Sequence, residues 1–178
     1  MSVESVATRL RESAFSQDLR AADWVVPTMQ TIHILMIGVV FVSVLVVALR
    51  VLGWVRAEEP LPRVWSRFAP FLWSGIVIMA VTGTLLTLAE PVREVMAMSF
   101  RVKLVLLVVG ITSALLFGHS VRRAARSGAG ADGRPSSLLR AASVLTIVLW
   151  LAIIFLGRAI AYDDSIWGSW SPAVLQRG

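Results

Sequence analysis

Four ionisable side chains, His33, Lys103, His119 and Arg158, interrupt or border long apolar stretches of this sequence. Charged groups are costly in hydrocarbon, so each raises the question of what it binds or pairs with. Imidazole is a common axial ligand of haem iron and also suits copper, while a Lys or Arg can neutralise an anion such as a haem propionate. Met29 and Met36 stand about one helical turn either side of His33, and either thioether could serve as a second iron ligand or as a soft ligand for copper. Met79, Met96 and Met98 add sulfur elsewhere. Thr82 and Tyr162 supply hydroxyls that could line such a pocket, although hydroxyls in apolar segments more often stitch helices together. Without a cofactor, His33 would donate to a neighbouring helix while Lys103 and Arg158 snorkel to water.

The elements that must position these groups are four apolar stretches, Thr28–Leu52, Phe71–Ala89, Val102–Gly118 and Ala141–Gly157. Counted with their flanks they give spans of about 28–52, 69–89, 100–121 and 139–161, long enough for a bilayer that takes roughly 17–25 helical residues. Barrel strands would alternate apolar and polar residues over about ten positions, which these stretches do not. The expectation is an all-α, up-down-up-down four-helix integral membrane bundle. Alternation puts the start of the first and third spans beside the end of the second and fourth. His33, Lys103 and Arg158 then share one layer. His119 lies near the opposite face beside Arg122 and Arg123, so the two histidines cannot clamp one haem iron within one chain. Glu90 and Asp163 are available to pair with Lys103 or Arg158.

A water-soluble globule is excluded by 57% hydrophobic residues and 16% charged ones, with a mean hydropathy of +0.77. There is no cysteine, which removes disulfides, zinc–thiolate sites, iron–sulfur clusters and covalently attached c-type haem. The net charge of +6 is a topology signal rather than a nucleic-acid footprint. Segment 50–67 holds four Arg and two Glu, and segment 122–140 five Arg and one Asp, whereas the two ends and segment 90–101 sum to −2. The positive-inside rule places both Arg-rich loops in the cytoplasm, near anionic lipid, and both termini outside. No Ser-His-Asp set, zinc-protease motif or phosphate loop is present.

Residues 1–26 form an outer-surface segment. Val3, Val6, Ala7, Leu10 and Ala14 recur at helical spacing, which predicts a short amphipathic helix on the membrane surface or over the bundle mouth. Residues 1–20 lack the apolar core of a cleavable signal peptide. Residues 27–162 form the four-span domain and 163–178 an outer tail. Trp24, Trp54, Trp65, Trp167 and Trp170 flank the spans as interfacial anchors, and Ser127–Ser137 reads as a flexible linker.

Several local patterns together resemble a large family of four-helix bacterial inner-membrane proteins: PTMQTIHILMIG leading to ALRVLG, TGTLL in the second span, FRVKL opening the third and GRAIAY closing the fourth. The layout of His33 and Lys103 is also similar to the membrane domain of CopD-type copper-resistance proteins and to HemJ-type protoporphyrinogen oxidases. The HemJ resemblance implies a b-type haem with a functional His and Lys at His33 and Lys103, and Arg50 resembles the Arg that ends their first helix. His119 falls several residues beyond the third-helix histidine of those enzymes. The expected activity is that of a bacterial inner-membrane, b-type haem electron-transfer subunit, with haem near the outer face on His33 and Lys103 and Arg158 holding its anionic groups. Its partners would be quinol or an outer electron-transfer protein, in a homo-oligomer or larger membrane complex. Porphyrinogen oxidation, copper handling and a colourless structural subunit are the alternatives.

Overall fold

Hydropathy and helix punctuation account for most of the backbone. A computed structural model describes residues 3–126 and 137–172. Its long helices are α3 (Val25–Leu52), α4 (Leu61–Ala89), α6 (Met98–Arg126) and α7 (Ser137–Ala159), preceded by α1 (Val3–Arg11) and α2 (Ala14–Ala21). The short helices α5 (Pro91–Met96) and α8 (Asp163–Trp167) follow α4 and α7, the latter through a 3-10 turn at Ile160–Tyr162. All four long helices are apolar enough and long enough to cross a membrane. The chain is an all-α, multi-pass membrane protein.

Gly53 ends α3 in the left-handed conformation, with φ 81°, and the N–H groups of Gly53 and Trp54 close on the carbonyls of Arg50 and Leu49. Pro60 and Pro62 then start α4, where a missing N–H costs nothing. That start lies well before the expected span at residue 69. Arg63 and Arg67 depress the hydropathy of this turn but leave it helical, so the Arg-rich segment is a short loop followed by a helical extension. Arg50 Nε donates to the Glu59 carbonyl at 2.6 Å, and the Glu59 carboxylate pairs with Arg56 at 2.5 Å and Arg67 at 3.6 Å.

In cross-section α3 lies beside α4 and α7, and α6 beside α7 and α4, an antiparallel four-helix ring. Its core includes Val40, Val44 and Val47 of α3, Trp65 and Leu72 of α4, and Trp150 and Ile153 of α7. Ile34, Val77, Val105, Val148 and Phe155 face outward, as lipid-facing positions require. Gly75 lets α3 and α4 approach closely: a Cβ there would lie 2.6 Å from Val40 Cγ2. Trp65 is not an interfacial anchor. It is 6% exposed and stacks edge-on with Phe117 at 5.3 Å in room left by Gly118. Trp24, Trp54 and Trp170 are exposed at the helix ends.

The N-terminal segment forms two helices rather than one. Ser13 divides them, its hydroxyl donating to the Leu10 carbonyl at 2.6 Å and accepting from Ser16 N–H at 3.3 Å as the N-cap of α2. Helix α1 packs on α5 and α4, and α2 on α4 and α3, so the pair covers the end of the bundle that carries His33. Residues 127–136 of the expected linker and 173–178 of the tail lie outside the described residues.

Candidate functional site

His33 is half-buried on α3 and reaches across to α4, where its Nδ1 lies 2.8 Å from Thr82 Oγ1. Thr82 is buried, and its hydroxyl donates to the Ile78 carbonyl one turn back at 2.8 Å. A hydroxyl has one proton; with that proton on the Ile78 carbonyl, Thr82 accepts from His33 and the ring carries its proton on Nδ1. The Met79 carbonyl adds a second acceptor near the same ring. This arrangement leaves Nε2 with its lone pair, the form in which imidazole binds a metal. Gly83 permits the approach: a Cβ at that position would lie 3.1 Å from His33 Cε1. The TGTLL tract thus supplies both the hydrogen-bond acceptor and the space for the ring.

Lys103, half-buried near the start of α6, runs over Gly157 of α7, whose Cβ would meet Nζ at 3.3 Å. Lys103 is electrostatically coupled to His33 and to Glu94 of α5. Burial pushes the Glu94 carboxyl above its ordinary range; Lys103 and Arg93 oppose that shift and Glu90 reinforces it. The bundle end therefore brings together an imidazole, an ammonium and a half-buried carboxylate drawn from α3, α6 and α5.

The expected partners of Lys103 are placed differently. Glu90 is exposed and pairs with Arg93 at 2.8 Å. Asp163 is buried and caps α6, accepting from Met98 N–H at 3.0 Å, Ser99 N–H at 2.8 Å and the Ser171 hydroxyl. The carboxylate facing Lys103 is Glu94. Its signal in the sequence is Pro91, a helix-starting residue that puts Glu90 and Glu94 about one turn apart.

Arg158 sits at the same end of the bundle but is exposed; its neighbour Gly157 is what meets Lys103. Tyr162 is exposed and lines a separate cavity with Arg93 and Asp163, not the surroundings of His33. Met29 and Met36 are half-buried on α3, as their spacing from His33 requires. His119 is exposed far along α6 and takes no part. Among the described residues no three His, Asp or Glu side chains converge to hold a metal ion.

Fold and site together define a multi-pass helical membrane protein with one half-buried histidine hydrogen-bonded to a threonine of the next helix, and a lysine within electrostatic reach of it and of a glutamate. The chain belongs to the Family of unknown function (DUF6644), which matches residues 23–163 and so spans the whole bundle. No curated protein and no solved structure matches it.

Proposed function

We propose that this protein is a b-type haem-binding electron-transfer subunit of a bacterial inner membrane, with the His33 end and both termini on the outer side. The observation that supports this reading most directly is the 2.8 Å contact from His33 Nδ1 to Thr82 Oγ1, which orients the imidazole and reserves Nε2 for a ligand. A histidine held this way could ligate haem iron. Lys103 would balance a propionate, and Glu94 would in turn balance Lys103. Thr82 acts on the ring by fixing its tautomer, and Gly83 by letting the ring lie against α4. Bound haem would supply one-electron chemistry; the polypeptide's part is to ligate, orient and neutralise charge. The Arg-rich loops at the opposite end support the orientation, and quinol or an outer electron-transfer protein would be the redox partner.

Copper handling is the second reading. It is favoured by the half-buried Met29 and Met36 flanking His33.

Visible spectra of detergent-purified, cofactor-replete protein, oxidised and then dithionite-reduced, decide between these readings when read with a pyridine haemochrome assay. The expected result is a b-type signal at about one haem per chain that disappears in His33→Ala. A colourless, folded preparation would overturn the haem reading. Copper found by elemental analysis and lost on replacing Met29 and Met36 would establish the second.

A further inference from the structure

A cavity of about 690 Å³ opens at the His33 end of the bundle, separate from the histidine and enclosed by the α1–α2 pair, α5 and the turn leading into α8. Arg11, Arg20 and Arg93 stand on its wall together with the carboxylates Glu90, Asp163 and Asp164, and Ala89, Met96 and Ala97 form an apolar, buried floor. Arg93 is occupied by Glu90, and Asp163 is committed to the N–H groups of α6. Arg20 has no carboxylate partner among the described residues. It is held by two backbone carbonyls, donating through Nε to Ser16 at 3.3 Å and through NH2 to Arg11 at 2.9 Å. Arg11 takes part in none of the ion pairs among the described residues. Two guanidinium groups without acid partners, one of them fixed in place, face a cavity whose floor is greasy. Guanidinium matches phosphate oxygens in a bidentate fashion, and the floor suits the first carbons of an acyl chain.

The level of the cavity points the same way. Trp24 and Trp170 are exposed at this end of the bundle, where indoles prefer the headgroup region. Val3, Val6 and Phe15 of the overlying helices are exposed, as they would be on a pair lying in the interface. We infer that this cavity binds a phosphate-bearing amphiphile, a phospholipid, with the phosphate on Arg11 and Arg20 and the glycerol and upper acyl carbons over Ala89, Met96 and Ala97. This inference is independent of the haem reading. It assigns the α1–α2 pair a role as the wall of a lipid site.

The test is native mass spectrometry of the protein released from nanodiscs of phosphatidylcholine, phosphatidylglycerol and diacylglycerol, comparing wild type with Arg11→Gln and Ala161→Trp. Arg11→Gln removes one guanidinium without touching the carbonyl that holds Arg20. Ala161→Trp places a ring at an exposed position on the cavity wall and changes no charge. One phospholipid retained per wild-type chain, with retention reduced at least tenfold in both variants and diacylglycerol not retained, is the expected result. Equal retention of diacylglycerol, or undiminished phospholipid in both variants, overturns the proposal. Thermal stabilisation of delipidated protein separates the two sources of phosphate. Short-chain phosphatidylglycerol is expected to raise the melting temperature where inorganic phosphate does not, and an equal effect of inorganic phosphate would overturn the assignment to a lipid.

Discussion

His33 Nδ1 and Thr82 Oγ1 meet at 2.8 Å across the α3–α4 interface, and the direction of that hydrogen bond is set by a third group, the Ile78 carbonyl that takes the threonine proton. The residue that chooses the histidine tautomer therefore never needs to touch a ligand. It acts by leaving Nδ1 with only acceptors around it.

Replacing Thr82 by Val keeps the shape and removes the acceptor. The Nδ1–H would then be left without its partner inside the bundle, at a cost of about 1–3 kcal/mol. If His33 ligates a metal or haem iron, loss of this supporting contact is expected to weaken the cofactor by roughly 10–100-fold. Thr82→Ser keeps the hydroxyl and is expected to restore both. Chemical unfolding and haem or metal stoichiometry of the three proteins check this; unchanged stability in Thr82→Val would show that the contact is not made in solution.

Much of this arrangement was legible before any coordinates. Four long, nearly uncharged stretches dictate four spans, and alternation alone places His33, Lys103 and Arg158 at one end. Contacts that depend on distant segments were not legible. Trp65 reads as an anchor because it flanks a span, and only the packing of α6 on α4 shows that Gly118 opens a slot for it. Asp163 reads as an available partner for Lys103 or Arg158, and only the return of α8 onto α6 turns it into a cap. Glu94 carries no signal in hydropathy because α5 is a single short helix inside an apparent loop. The helical start of α4 is hidden too, because hydropathy averages arginine as a break while the backbone does not.

Glu94 gives the pH prediction. Its carboxyl is held above the ordinary range chiefly by burial. The folded state therefore binds a proton that the unfolded chain releases at lower pH, and this contribution to stability is complete below the unfolded pKa and is lost as pH rises through the folded one. Wild type is thus expected to lose stability relative to Glu94→Gln as pH rises from the ordinary glutamate pKa upward. Melting curves of the two proteins across this range test the sign; a wild type that gains on the variant with rising pH would refute it.

Two glycines give a paired packing prediction. A Cβ at Gly118 would clash with Trp65 Cζ2, and the indole is a rigid ring in the core, so Gly118→Ala is expected to cost about 1–3 kcal/mol. At Gly38 nothing lies within 4 Å of the added atom, and removing a glycine from a helix interior gains roughly 0.5–1 kcal/mol. Opposite shifts in melting temperature are expected, with near-equal shifts as the contrary result.

Asp163 is the last test, because its carboxylate ties the end of the chain to the start of the helix that carries Lys103. It accepts from the first two N–H groups of α6, which otherwise lack partners, and Trp167 of the same short helix donates through Nε1 to Ser99 Oγ at 2.8 Å. The positive end of α6 and the negative carboxylate reinforce one another. Asp163→Ala removes charge and acceptor together and is expected to cost about 0.5–2 kcal/mol, as loss of a helix cap does. Asp163→Asn keeps one acceptor oxygen and is expected to cost less. Hydrogen exchange localises the effect: the amides of Met98 and Ser99 should exchange faster by about tenfold in Asp163→Ala, equivalent to roughly 1.4 kcal/mol, while those in the middle of α3 stay protected. Uniform loss of protection along the whole bundle would mean that Asp163 supports the fold globally and is not a local cap that holds Lys103 in register.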